Sequence, residues 1–344
     1  MAPGSLNAIT DVPGVRVGHV TLNHGHGPLR IGEGPVRTGV TAILPPGDDW
    51  YFDPVEAGNF VFNGAGTTVG LSQIDEWGRI ETPVMLTNTL SVGSVYEGVV
   101  RYMVELTFRA RGEVPWHNPV VGETSDAYLN DIGGLHVRPE HAMEAIRIAS
   151  GGPVEEGCVG GGMGMSAFGY KGGIGTSSRT MEVGGEPGIV GVLVQSNFGG
   201  RLTVDGVPMH DLQPPAPTAP KDASLMVIVA TDLPLSNRLL NRVAKRATLG
   251  MARTGSSGGH GSGDYVIAFS TTCRARDAMT QARGTLAENE SAIDVVFQAV
   301  ADATEEAILN SMFRAHTVVG RDGNTRAELP LDAVLERLRR AGRL

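Results

Sequence analysis

Four prolines fall within the eight residues Gln213-Pro-Pro-Ala-Pro-Thr-Ala-Pro220, and after Lys221-Asp-Ala223 the chain enters Ser224 and the apolar run Leu225-Met-Val-Ile-Val-Ala230. Proline lacks the amide that a helix or central strand needs, so residues 213–220 are expected to form an exposed, extended linker. Six consecutive apolar residues after such a segment predict a strand buried on both faces. Ser224 therefore stands where an accessible segment meets the core. A serine so placed can become a new N-terminus after self-cleavage, its own α-amine serving as the base that activates the hydroxyl. The same position also suits a polar residue that merely opens a strand after a loop. Position alone leaves the two readings open.

The chain has 344 residues, enough for a large core in one or two domains. Its 48 glycines are about twice the usual share, which implies tight turns and close backbone approaches. A net charge of −9 and an aromatic content of 5% argue against nucleic acid and anionic membranes as partners. Two cysteines, Cys158 and Cys273, build neither a disulfide framework nor a four-cysteine zinc site. The first residues have no basic or apolar stretch of signal-peptide length, and no apolar run approaches the roughly 20 residues that cross a bilayer. The expectation is a cytoplasmic protein without metal or cofactor.

Strands are expected at 15–22, 38–44, 83–86, 189–195, 225–230 and 265–269, with helices at 95–108, 141–149, 235–249, around 293–308, and 331–340. Their alternation, without a fixed repeat, predicts a single α/β domain over residues 1–344 with an internal cut, giving segments 1–223 and 224–344. Gly162-Met-Gly-Met-Ser-Ala167 fits a dinucleotide-binding pattern, but no apolar strand feeds it and the glycines that follow cannot form a helix, so that reading is rejected. His24 and His26 lack a third ligand at a recognisable spacing. In the loop Thr254–Asp264, Ser262 and Asp264 alternate, so an extended backbone puts hydroxyl and carboxylate on one side, where they can orient an amine and take up a proton. Glu123, Asp126 and Asp131 surround Tyr128 and Asn130, and one of these acids could hold a cationic substrate group or simply face solvent. Asn197, ending a buried strand, can donate to an oxyanion or serve as a turn residue.

Taken together, Ile9–Gly18, Glu123–Asp131, Gly169–Arg179, Val192–Asn197, Ser224–Leu235 and Ala252–Thr271 resemble the self-processing β-peptidyl aminopeptidases and L-aminopeptidase/D-esterases, in the same order and over nearly the whole chain. The resemblance implies a four-layer αββα sandwich like that of N-terminal-nucleophile hydrolases but with different strand connectivity. It implies a homotetramer of processed protomers, and a small peptide, amide or ester with a free amine as substrate. It puts the nucleophile on Ser224, the cut after Ala223, the supporting pair on Ser262 and Asp264, the oxyanion amide on Asn197 and amine recognition on Glu123. Some relatives carry glutamate where Asp264 stands, and some carry an aromatic residue where this chain has Ser125; Tyr128 is the nearby aromatic substitute. The rival expectations are a relative acting on other amides, by acyl-ornithine transfer or nylon-oligomer hydrolysis, and an uncleaved binding protein.

Overall fold

Alternate residues of the run Ser224–Thr231 point into two different apolar layers. Leu225, Val227 and Val229 join one core cluster, while Met226, Ile228 and Ala230 join another. A strand buried on both faces needs a layer on each side, and this requirement organises the rest. The computed structural model describes residues 1–209, 212, 214, 223–274 and 292–344.

Two sheets stack face to face. The first has four strands, β1 (Arg16–His24), β2 (Val36–Leu44), β5 (Val84–Asn88) and β6 (Val120–Thr124), in the order β1-β2-β5-β6. The second has six: β3 (Val55–Gly64), β4 (Arg79–Ile80), β7 (Gly173–Val183), β8 (Glu186–Asn197), β9 (Ser224–Thr231) and β10 (Gly263–Arg274), in the order β4-β3-β10-β9-β8-β7. Pairing is antiparallel except for β5 with β6 and β9 with β10. Between the sheets lie Ile43, Val84, Leu86, Leu193, Met226, Ile228 and Phe269.

Helices close both outer faces. Helices α2 (Val92–Arg111) and α3 (Pro139–Arg147) pack Val95, Val99, Met103 and Ile146 on Val40, Met85 and Val121 of the first sheet. Helices α4 (Asn237–Arg253) and α5 (Ala292–Phe313) cover the second sheet, with Leu239, Val243, Val296 and Ile308 against Val192, Val227 and Val266. Short α1 (Leu71–Trp77) follows β3, and α6 (Leu331–Arg340) adds Val334 and Leu338 to the outer core. The architecture is the αββα sandwich. Among the described residues no helix is long and apolar enough to cross a membrane.

Among the strands that lie outside the sequence expectations are β3 and β7. Glycine and asparagine interrupt β3, and only three of its ten residues are buried, so it shows no continuous apolar run. Strand β7 buries serine and threonine instead of aliphatic residues. There the Ser177 hydroxyl donates to the Ala303 carbonyl of α5 at 2.6 Å, which satisfies a polar group the core would otherwise reject. Helix α4 starts at Asn237 instead of 235, because Ser236 caps it by accepting the Leu239 N–H while Leu235 stays in the core. Gln213 and residues 215–222 of the expected linker lie outside the described residues.

Helix α5 lies so close to β7 that a Cβ on Gly175 would overlap the Ala307 carbonyl and stand 2.5 Å from the Ser311 amide. Both obstacles are backbone, so Gly175→Ala must push the helix off the sheet. A loss of about 1–3 kcal/mol is expected, seen as a thermal midpoint lowered by roughly 3–10 °C. An unchanged midpoint would mean that this helix–sheet contact yields without strain.

Candidate functional site

The parallel ladder of β9 and β10 begins at Ser224, whose Cα lies opposite Gly263 on one side and Asn197 of β8 on the other. The Gly263 N–H donates to the Ala223 carbonyl at 3.0 Å. Ser224 is 5% exposed. Thus the first residue of a buried strand meets the last residue of one neighbour and the first of the other.

Ser262 and Asp264 flank Gly263. The Ser262 hydroxyl donates to Asp264 Oδ1 at 2.8 Å, and the Asn63 side-chain amide donates to Oδ2, also at 2.8 Å. Burial pushes the Asp264 carboxyl up, while the hydrogen bonds from Asn63, Ser262 and the Leu225 N–H pull it back. Asn63 went unnoticed in the sequence, where it is an ordinary asparagine near a glycine. Its role becomes visible only through the β3–β10 pairing of Asn63 with Asp264, beside a register irregularity between Asp264 and Tyr265 that re-aims side chains.

Asn197 is fully buried, and its Oδ1 accepts the Ser166 N–H at 2.9 Å, which turns the side-chain NH2 as the donating end. The Ser166 hydroxyl in turn accepts from Arg326 Nε at 3.0 Å, and the guanidinium of Arg326 lies 3.8 Å from the centre of the Tyr128 ring. Tyr128 therefore belongs to the layer behind Asn197, with Arg326 and Ser166 between them. Neither Arg326 nor Ser166 stands out in the sequence.

Glu123 is the last residue but one of β6 on the first sheet and is 2% exposed. Its Oε1 accepts the Thr67 N–H at 2.9 Å, and its Oε2 accepts the Thr89 hydroxyl. Gly122 lets Met226, two residues beyond Ser224, pack directly against this strand. The Gln195 amide crosses between the sheets, donating to the Thr87 carbonyl at 2.9 Å and the Thr124 hydroxyl at 2.8 Å. The other two acids go elsewhere. Asp131 pairs with His136 Nε2 at 2.8 Å and accepts the Gly32 N–H, and Asp126 is enclosed beside Asn130. His24 lies edge-on to His136 with ring centres 6.3 Å apart. Among the described residues no group of three or more His, Cys, Asp or Glu could hold a metal ion.

Comparison with known proteins adds four findings. The model of peptidase family S58 matches residues 7–326. The β-peptidyl aminopeptidase BapA of Sphingosinicella microcystinivorans is 45% identical over 98% of this chain and 90% of its own. Among solved structures, a protein of Pyrococcus horikoshii OT3 is 50% identical with a TM-score of 0.93, covering 99% of this chain and 96% of that one. The L-aminopeptidase D-Ala-esterase/amidase of Ochrobactrum anthropi, described as a new variant of the N-terminal-nucleophile hydrolase fold, is 38% identical with a TM-score of 0.91, covering 100% and 96%.

Asp126 makes a pH test. Burial pushes its carboxyl up to about 7, outweighing hydrogen bonds from Thr38, Asn130 and Asn88. A folded pKa above the unfolded value gives stability that is present below pH 4 and lost as pH rises through about 7. Asp126→Asn, which copies the neutral form, should match the wild type in urea midpoint near pH 4 and exceed it increasingly up to pH 8. A difference that does not change with pH would mean that Asp126 is ionised in the fold.

Proposed function

This chain belongs to peptidase family S58 and is a hydrolase, and we propose that it is a serine aminopeptidase that cuts itself before Ser224 and then releases N-terminal residues. The observation that carries this reading is the first rung of the β9–β10 ladder. Ser224 shares it with Asn197 and with Gly263, which Ser262 and Asp264 flank, at the junction with the proline-rich segment.

In the uncut chain, Ser224 Oγ attacks the Ala223 carbonyl carbon, and the Ala223–Ser224 C–N bond breaks as its nitrogen gains a proton. The resulting ester is hydrolysed by water, leaving a carboxylate on Ala223 and a free α-amine on Ser224. Ser262 and Asp264 take up and return the proton, with Asn63 holding the second carboxylate oxygen. In turnover, the Ser224 amine is the base and Oγ attacks the first amide or ester carbonyl of a substrate. An acyl-enzyme forms, the leaving amine or alcohol departs with the proton, and water resolves the ester. The Asn197 NH2 faces the tetrahedral oxyanion, a donor typically worth about 10²–10³ in turnover. Glu123 pairs with the substrate ammonium, with Tyr128 backing the site from behind Arg326.

Cut protomers assemble as a homotetramer in this reading. The ring pair of Trp77 and Trp116, 5.4 Å apart and 45% and 60% exposed, is an apolar surface that such an assembly can cover.

The wild type should give two masses, for 1–223 and 224–344, while Ser224→Ala stays whole. A single full-length mass of the wild type after prolonged incubation would favour the uncleaved binding protein instead. Exo-specificity is the second test. Stranding the buried Glu123 charge without its ammonium costs several kcal/mol, so amino-acid p-nitroanilides should be hydrolysed and their N-acetyl forms refused. Glu123→Gln should lose activity on the free amines yet still cut itself, because processing involves no ammonium. Equal rates on free and acetylated substrates would reduce Glu123 to a structural acid.

A further inference from the structure

Five residues, Gly64 to Thr68, run from one sheet to the other directly across the site. At their start Gly64 pairs with Gly263, the Ala65 N–H donates to the Ser262 carbonyl at 3.3 Å, and the Ala65 carbonyl presses on Gly263, where a Cβ would stand 2.7 Å from it. At their end the Thr67 N–H holds Glu123 Oε1 at 2.9 Å, the Thr68 hydroxyl donates to the Met226 sulfur at 3.5 Å, and Val69 exchanges backbone hydrogen bonds with Val121 of β6. One end is fixed to the turn beside the nucleophile, and the other to the carboxylate. In the middle, a Cβ on Gly66 would stand 2.8 Å from Glu123 Oε1, 3.0 Å from Tyr265 Cε2 and 3.2 Å from Tyr265 Oη. The strap is solvent-exposed at Gly66 and Thr67, whereas Glu123 and Tyr265 beneath it are buried.

An α-aminoacyl and a β-aminoacyl substrate differ by one backbone carbon between amine and scissile carbonyl, about 1.5 Å of chain. Similar proteins carry names that span this difference, one a β-peptidyl aminopeptidase and another an L-aminopeptidase. We propose that the strap Gly64–Thr68 is the ruler that selects between the two lengths, with Gly66 as its specificity-determining residue, because it fixes how far the Glu123 carboxylate stands from the Ser224 strand. This rests on the reading of Glu123 as the ammonium partner and Ser224 as the nucleophile.

The direction follows from the layers. Glu123 belongs to the first sheet, and Tyr265 to the strand beside Ser224, with the Gly66 backbone between them. Its backbone is not in the left-handed region, so alanine is tolerated there apart from the crowding. The added methyl must displace the carboxylate, the flexible partner, away from the second sheet. The span from nucleophile to carboxylate lengthens, and the longer substrate gains. Tyr265→Phe does the opposite, since it removes the hydroxyl under the strap and lets Gly66 settle toward β10.

The test measures kcat/KM of the processed enzyme on two p-nitroanilides that differ by one methylene, those of alanine and of β-homoalanine. Gly66→Ala should move the ratio toward the β substrate by about tenfold, the low end of what one methylene is worth in a fitted site, and Tyr265→Phe should move it toward the α substrate. Intact mass and thermal midpoint confirm that each variant is folded and cut. If Gly66→Ala does not fold, Tyr265→Phe alone decides. A ratio that stays put in the folded variants, both substrates falling by the same factor, or a shift of opposite sign overturns the ruler while leaving the aminopeptidase reading in place. A wild type that is cut but hydrolyses neither substrate overturns the aminopeptidase reading, and the ruler falls with it.

Discussion

A single backbone hydrogen bond, from the Gly263 N–H to the Ala223 carbonyl, opens the parallel ladder on which the rest of the site depends. The strand above it is buried on both faces, so a slip of one residue would exchange Leu225, Val227 and Val229 with Met226, Ile228 and Ala230 between two differently shaped layers. Register is therefore held by the whole core, and Ser224 inherits that precision. Parallel neighbours need a crossover, and α4 supplies it, covering the sheet before the loop 254–262 delivers Ser262 and Asp264 beside the start of β9.

The interior around this rung is unusually polar, and its polar groups hold one another. Lys171 is fully buried, and its ammonium donates to the Gly162 and Gly172 carbonyls at 3.0 and 2.7 Å; burial pushes its pKa down. Those carbonyls belong to the turns on either side of Ser166, the residue whose N–H orients Asn197. On the other side, Gln195 ties Thr87 and Thr124 to the strand that ends in Asn197. Each such bond is worth only about 1 kcal/mol net, but leaving a buried partner unpaired costs about 1–3 kcal/mol. The networks thus specify a geometry more than they add stability.

Much of this was readable from the chain and some was not, for physical reasons. The strand after Ser224, the helices α2, α4, α5 and α6, and the spacing of Ser262 with Asp264 all announce themselves through apolar periodicity or alternation. Peptidase family and αββα fold agree with the resemblance carried by the quoted segments. Asn63, Ser166, Thr67 and Arg326 left no such trace, because each acts through a partner 31 to 201 positions away, and no local pattern encodes those distances. Strands β3 and β7 escaped because glycine, serine and threonine take the places where periodicity looks for aliphatic side chains.

The strand order has a consequence for what happens to a molecule severed between Ala223 and Ser224. The pair β9–β10 would belong to the shorter piece, yet it is intercalated between β8 and β3 of the longer one. Neither piece then owns a continuous central sheet. The native state persists because the two are interleaved, but once it is unfolded its reassembly becomes a meeting of two chains, second order in concentration, whereas the uncut chain recovers the same sheet by closing on itself. A molecule so cut would carry a record of the cut. Its refolding after denaturation depends on dilution, and its persistence rests on the slowness of opening instead of on the ease of return.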